Sequence, residues 1–307
     1  MKKRATHAPI FIETQSGVLV QSGNSSDFTA QDSSSYLAVK QRGIELQELY
    51  QKNDLLISPT SYLSKLIGDT SSLSDSWLCN DHSCDTALQL FSLSQLDRVA
   101  KAALPLGVSV QSKKYLGALL TGSLDLLSRE QSKAKDTLWE LELWQVLVGM
   151  GIHASLEEPD IVVSFDGARI GIACKKFYSE NNVSKVLSQA VSQFEGDFDF
   201  GIIAINLDDL TPANTILKAR SMSQMFEVIS QLNDSFIIKH ERHLRKYLEM
   251  GRAISALVST AVIADVPTTK PRFFNSRQST IWNIPGLAID KEKQMRNFFN
   301  AVNAAHA

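Results

Sequence analysis

The chain has 307 residues, 44% of them apolar and 21% charged, and a net charge of −2. That is ample for a packed core in one large domain or two to three modest ones, and it argues against a surface coated in basic side chains. Three cysteines give no sign of a disulfide framework and fit a reducing, cytoplasmic setting, while no run reaches the ~18 apolar residues of a membrane span.

Met1-Lys2-Lys3-Arg4 opens the chain without a signal-type apolar segment behind it. Residues 10–20 read as a β-like segment and the Ser/Asp/Gln-rich stretch 21–35 as a loop. From 43 to 127 the signals are helical, in runs at 44–50, 62–67, 87–103 and 116–127. Cys79, His82 and Cys84 sit close together, but no second ligand pair follows at finger-like spacing, and a structural zinc wants four ligands. The polar stretch 128–135 is a natural boundary, so residues 1–130 are expected to form a mostly helical N-terminal region.

Residues 137–150, TLWELELWQVLVGM, predict a helix that is apolar on nearly every side and therefore buried. Glu140 and Glu142 interrupt it, and a buried carboxylate is costly unless paired or bound to a cation. Two positions apart, they are separated by roughly 200° at 3.6 residues per turn and cannot both face one site. A first strand follows at 153–156, then Glu158-Pro159-Asp160.

Residues 161–165 and 169–174 predict two strands joined by Asp166-Gly167, a dipeptide that favours a type I′ hairpin. That turn pairs Phe165 with Ala168, which sets Asp160 opposite Ala173 and puts Lys175 one step further along the same face. Next comes an amphipathic helix with Val183, Val186, Leu187, Ala190, Val191 and Phe194 on one side. Lys185, Gln189 and Gln193 form a polar stripe on another, a pattern that an ordinary solvated face would also show. The run 200–207, FGIIAINL, has the pattern of a buried central strand and ends in Asp208-Asp209.

Beyond it, 216–232 and 236–250 predict two helices and 255–266 an apolar strand. The basic cluster 239–246, KHERHLRK, reads either as a phosphate-binding patch or as a solvated helix face. Arg272-Phe273-Phe274-Asn275-Ser276-Arg277 interleaves aromatics with arginine, as nucleic-acid-binding segments do; packing the rings inward is the commoner use. A short helix closes at 295–304. Residues 131–265 are read as the core and 266–307 as an extension packing on it.

Pro159-Asp160, the hairpin and Ile172-Ala173-Cys174-Lys175-Lys176 resemble the signature of the PD-(D/E)XK nuclease superfamily. The resemblance covers about residues 136–207 and implies a restriction-endonuclease-like αβββαβ core in an α/β fold. It implies a metal-dependent nuclease acting on nucleic acid, DNA foremost, with Mg²⁺ (or Mn²⁺) as cofactor. Asp160 would be a metal ligand and Lys175 the catalytic lysine, with the Cys174 carbonyl as a further ligand. Glu140, chosen over Glu142 by the family spacing to Gly151, would be the helix glutamate, and Gln189 would contact the substrate backbone or the site carboxylates. The family carries an acid where this chain has Ala173; Glu140, Glu142 or an acid from elsewhere would have to replace it. The competing expectation is a nuclease-like fold without chemistry, acting as a nucleic-acid-binding or scaffold protein.

Overall fold

The computed structural model describes residues 10–13, 19–23, 36–79, 87–194, 198–249, 253–269, 272–283 and 288–304. His82 and Cys84 fall outside these, and Cys79 is an exposed free thiol. The chain starts with strands β1 (Ile10–Glu13) and β2 (Leu19–Gly23). Helices α1 (Tyr36–Lys52), α2 (Tyr62–Leu78), α3 (Ala87–Ala103) and α4 (Val110–Leu119) follow. Then come α5 (Lys133–Gly149), β3 (His153–Ser155), β4 (Ile161–Phe165), β5 (Ala168–Lys176), α6 (Val183–Ser192) and β6 (Phe200–Asn206). The last part holds β7 (Leu217–Lys218), α7 (Met222–Leu248), β8 (Ser255–Asp265), β9 (Phe273–Asn283) and α8 (Ile289–Ala304). The fold is mixed α/β.

The turn chemistry acts as the sequence requires. Asp166 and Gly167 have φ of 49° and 76°, the pair of positive values that a type I′ turn demands. Phe165 pairs with Ala168, and the ladder runs out to Ile161 opposite Ile172. β3 pairs antiparallel with β4, β5 lies parallel to β6, and β6 lies parallel to β8. The order across the sheet is β1-β2-β9-β8-β6-β5-β4-β3, with β7 on the far end of β8.

Helices cover both faces, which is why β6 is buried at every position. On one side Ile170, Ile172, Cys174, Ile202 and Ala204 share a core with Leu138 and Leu141 of α5. On the other, Ala173, Ile203 and Ile205 join Leu187 and Val191 of α6 and Phe236 and Leu244 of α7. A residue's parity along β5 therefore decides which core it enters.

Four stretches differ from expectation. Residues 21–23, read as the start of a loop, belong to β2 because their backbone pairs with β9. The helix sought at 116–127 is α4, which starts at the Ser109 cap and ends at Leu119. Beyond it, Ser123 and Asp125 side chains bond the N–H groups of Asp125 and Leu127, holding local turns that compete with helix. The two helices sought at 216–232 and 236–250 are the single 27-residue α7. Its polar middle survives burial because the Asn233 amide donates to the Gln278 carbonyl (3.1 Å) and accepts from Thr260 Oγ1 (2.6 Å). The C-terminal segment 266–307 does more than pack on the core: β9 pairs with β8 from Asp265↔Phe273 to Ser255↔Asn283 and carries β2 on its other edge. Among the described residues, no helix is long and apolar enough to cross a membrane.

Candidate active site

The corner of interest lies where β4 begins. Pairing stops at Ile161, so Asp160 does not stand opposite Ala173 in the ladder. Its Oδ2 instead accepts the main-chain N–H of Cys174 at 2.7 Å. Lys175 Nζ lies 3.4 Å from the same oxygen. Both side chains are largely buried, at 17% and 19% exposure. Burial raises the Asp160 pKa, opposed by the Lys175 ammonium and the Cys174 N–H. The link to Cys174 runs through its N–H; its thiol is buried and held protonated by that burial.

Ala173 takes no part in this corner. It is wholly buried in the apolar core with Phe177, Val183 and Leu187.

α5 separates its two glutamates as 3.6-residue periodicity demands. Glu140 is partly buried, with no hydrogen bond or ion pair to any described residue. Its pKa is pushed up to about 7, first by burial and then by the charge of Asp160; Lys133 and Lys175 oppose the shift. Glu142 turns to the neighbouring elements: its carboxylate takes Arg98 of α3 at 2.7 Å and Arg277 of β9 at 2.7 Å. Both arginines also reach Asp208, at 2.8 and 3.3 Å. Burial disfavours ionised Asp208, but Arg277, Lys176 and Arg98 together hold its carboxyl well below the usual range.

A second set of charges closes beside it. Asp209 takes Lys176 at 2.6 Å and Lys135 at 2.9 Å. Lys176 is therefore occupied inside the protein, although it follows Lys175 directly. These pairs tie α3, α5, β5 and β9 together at the end of β6. Sequence reading missed the network: Asp208-Asp209 stood out, but its partners come from positions as distant as Arg98 and Arg277.

The glutamine that reaches the corner is Gln193, not Gln189. Gln193 Nε2 donates to the Pro159 carbonyl at 2.9 Å, and Gln193 Oε1 is buried without a partner among the described residues. Gln189 lies one turn earlier and is exposed. Both belong to the same polar stripe; the packing of α6 on the sheet brings only its last turn against Pro159. The basic cluster on α7 is partly neutralised, with Lys239 and His240 on Glu180 and Arg245 on Glu241.

Among the described residues, no group of three or more His, Cys, Asp or Glu is placed to hold a metal ion. The donor set has another form: two carboxylates from different elements, one of them lacking a cation partner. That suits Mg²⁺, which is usually bound through one or two carboxylates and completed by water and substrate phosphate. Comparison with protein-family models, with curated proteins and with solved structures finds no match to this chain.

Proposed function

We propose that the chain is a metal-dependent nuclease with a restriction-endonuclease-like αβββαβ core, hydrolysing phosphodiester bonds in DNA. One observation carries the reading. Two partly buried carboxylates stand at this corner, Asp160 at the head of β4 and Glu140 on α5; the charge of Asp160 acts on Glu140, and a lysine ammonium stands 3.4 Å from Asp160. Glu140 lacks a cation partner, and a buried carboxylate without one is costly unless a bound cation removes the cost.

In this reading Asp160 and Glu140 hold Mg²⁺, with the Cys174 carbonyl as a further oxygen within reach. A bound divalent ion would supply an activated water and neutralise charge on the phosphate. The Cys174 N–H fixes one oxygen of Asp160 and leaves the other for a ligand. Lys175 is positioned to orient the water and neutralise the phosphate, and its bond to Asp160 limits where its ammonium can go. Gln193 secures the backbone at Pro159, one residue before the ligand. Glu140 takes the part of the missing acid at position 173.

Ala173 favours a second reading, a nuclease-like fold that binds nucleic acid without cutting it. The deciding experiment incubates the protein with supercoiled and linear DNA in Mg²⁺ or Mn²⁺, beside Asp160→Asn. Metal-dependent cutting that Asp160→Asn abolishes supports the nuclease. DNA binding with neither cutting nor divalent-ion binding supports the second reading.

A further inference from the structure

We propose that α4, outside the αβββαβ core, forms a wall of the active site and binds the substrate strand, with the Tyr115 hydroxyl on the scissile phosphate and the Lys114 ammonium on a neighbouring one. The proposal rests on the nuclease reading above. It starts from how α4 is fixed. Gln111 Nε2 donates to the Leu156 carbonyl, in the loop that leads to Asp160. One turn further along the same helix face stands Tyr115, only 8% exposed.

The surroundings of that ring are acidic. Glu140, Asp160 and Glu158 all act on its hydroxyl and, after burial itself, keep it protonated. A tyrosine hydroxyl is protonated at neutral pH in any case, so Tyr115 is a donor on the helix face that Gln111 anchors to the loop leading to Asp160. Among the described residues its hydroxyl has no hydrogen-bond partner, and although the ring is buried the oxygen itself is not sealed from solvent, so a ligand can reach it. Carboxylates alone would repel a phosphodiester. A neutral donor beside them gives a non-bridging phosphate oxygen a place to bind.

Lys114 extends the same wall. Its side chain is exposed, its Nζ lies 5.5 Å from the Tyr115 ring centroid, and it forms no ion pair among the described residues. Lys133, exposed at the start of α5, bears on Glu140 from another side. Lys133 and Lys175 thus act on the carboxylates, and Lys114 adds a third ammonium beside Tyr115, as a strand of phosphates passing over them would require.

The test uses the full chain, Mn²⁺ as the metal probe and linear duplex DNA as substrate. Tyr115→Phe is expected to lower kcat about 100- to 1000-fold, since one donor to a developing oxyanion contributes on that scale. Mn²⁺ affinity by calorimetry should stay within about twofold, because the tyrosine is not a metal ligand in this arrangement. Lys114→Ala should weaken DNA binding and make the dependence of log K on log salt shallower by about 0.9. If Tyr115→Phe does not fold, the Lys114→Ala salt slope decides alone. A wild type that cuts, with Tyr115→Phe cutting equally fast or Lys114→Ala leaving the slope unchanged, overturns the wall and leaves Asp160, Glu140 and Lys175 in place. Parallel loss of Mn²⁺ affinity and cutting in Tyr115→Phe overturns the phosphate assignment. A wild type that neither binds Mn²⁺ nor cuts overturns the nuclease reading and this proposal together.

Discussion

Lys175 Nζ and the Cys174 N–H converge on one oxygen of Asp160, at 3.4 and 2.7 Å. The two donors come from adjacent residues of one strand, so the carboxylate is gripped from the ladder edge and from the side chain beyond it. This arrangement separates two roles that a simple loss of activity would merge. Asp160→Asn should abolish both divalent-ion binding and cutting. Lys175→Ala should abolish cutting but keep or tighten Mn²⁺ binding, because the ammonium competes with the ion for the same carboxylate. Calorimetry beside a cleavage assay checks this; Mn²⁺ affinity lost in both variants would make Lys175 a structural partner only.

The two glutamates of α5 should behave oppositely. Glu142→Gln leaves Arg98 and Arg277 short of a carboxylate in a setting where Glu142 is 13% exposed. Removing one partner of such a buried pair should destabilise the fold by about 3 kcal/mol. Glu140→Gln removes a charge without a partner and should not destabilise. Denaturant unfolding of the two variants at pH 8 reads the difference.

The pH dependence of the metal-free protein follows from Glu140. Its folded pKa of about 7 lies above the ordinary glutamate value of 4.5, so the folded state holds the extra proton between those limits. Stability from this group is greatest below the unfolded value and falls as pH rises toward about 7. Asp160, also raised, acts in the same sense; Lys133 and Lys175 oppose and Asp136 adds to the shift. Glu140→Gln should match the wild type near pH 5 and exceed it at pH 8. Equal melting temperatures at pH 8 would contradict the assignment.

Ala173→Glu should not rebuild a family-like acid pair. Ala173 is wholly buried among Phe177, Val183 and Leu187, so the longer side chain would overpack that core and bury an unpaired charge. A destabilisation of at least about 3 kcal/mol is expected, with no gain in Mn²⁺ affinity. A stable variant that binds Mn²⁺ more tightly would show that β5 can turn position 173 toward Asp160.

The hairpin was legible in the sequence because its determinants are local. Asp166-Gly167 admits positive φ at both turn positions, alternation sets the register, and the pairs from Phe165↔Ala168 to Ile161↔Ile172 follow; the expected outermost pair, Asp160 with Ala173, does not form. The same holds for the apolar face of α6 and the continuous apolar run of β6, whose periodicity is carried by neighbouring residues. Helical periodicity also required Glu140 and Glu142 to point apart. What each one meets was decided by distant parts of the chain: Arg98 and Arg277 draw Glu142 into an ion-pair network, while Glu140 is left without a cation partner, under the charge of Asp160. α7 stays a single helix because Thr260 and Gln278 satisfy Asn233 in its middle, and Gln193 rather than Gln189 meets Pro159 because of how α6 lies on the sheet. Tyr115 shows the limit most sharply. The α4 face that carries it is held by Gln111 to the carbonyl of Leu156, 45 residues further along the chain. Local pattern specifies turns, faces and registers, but the partners of a buried polar group are set by which elements pack together, and that is decided only when the whole chain folds.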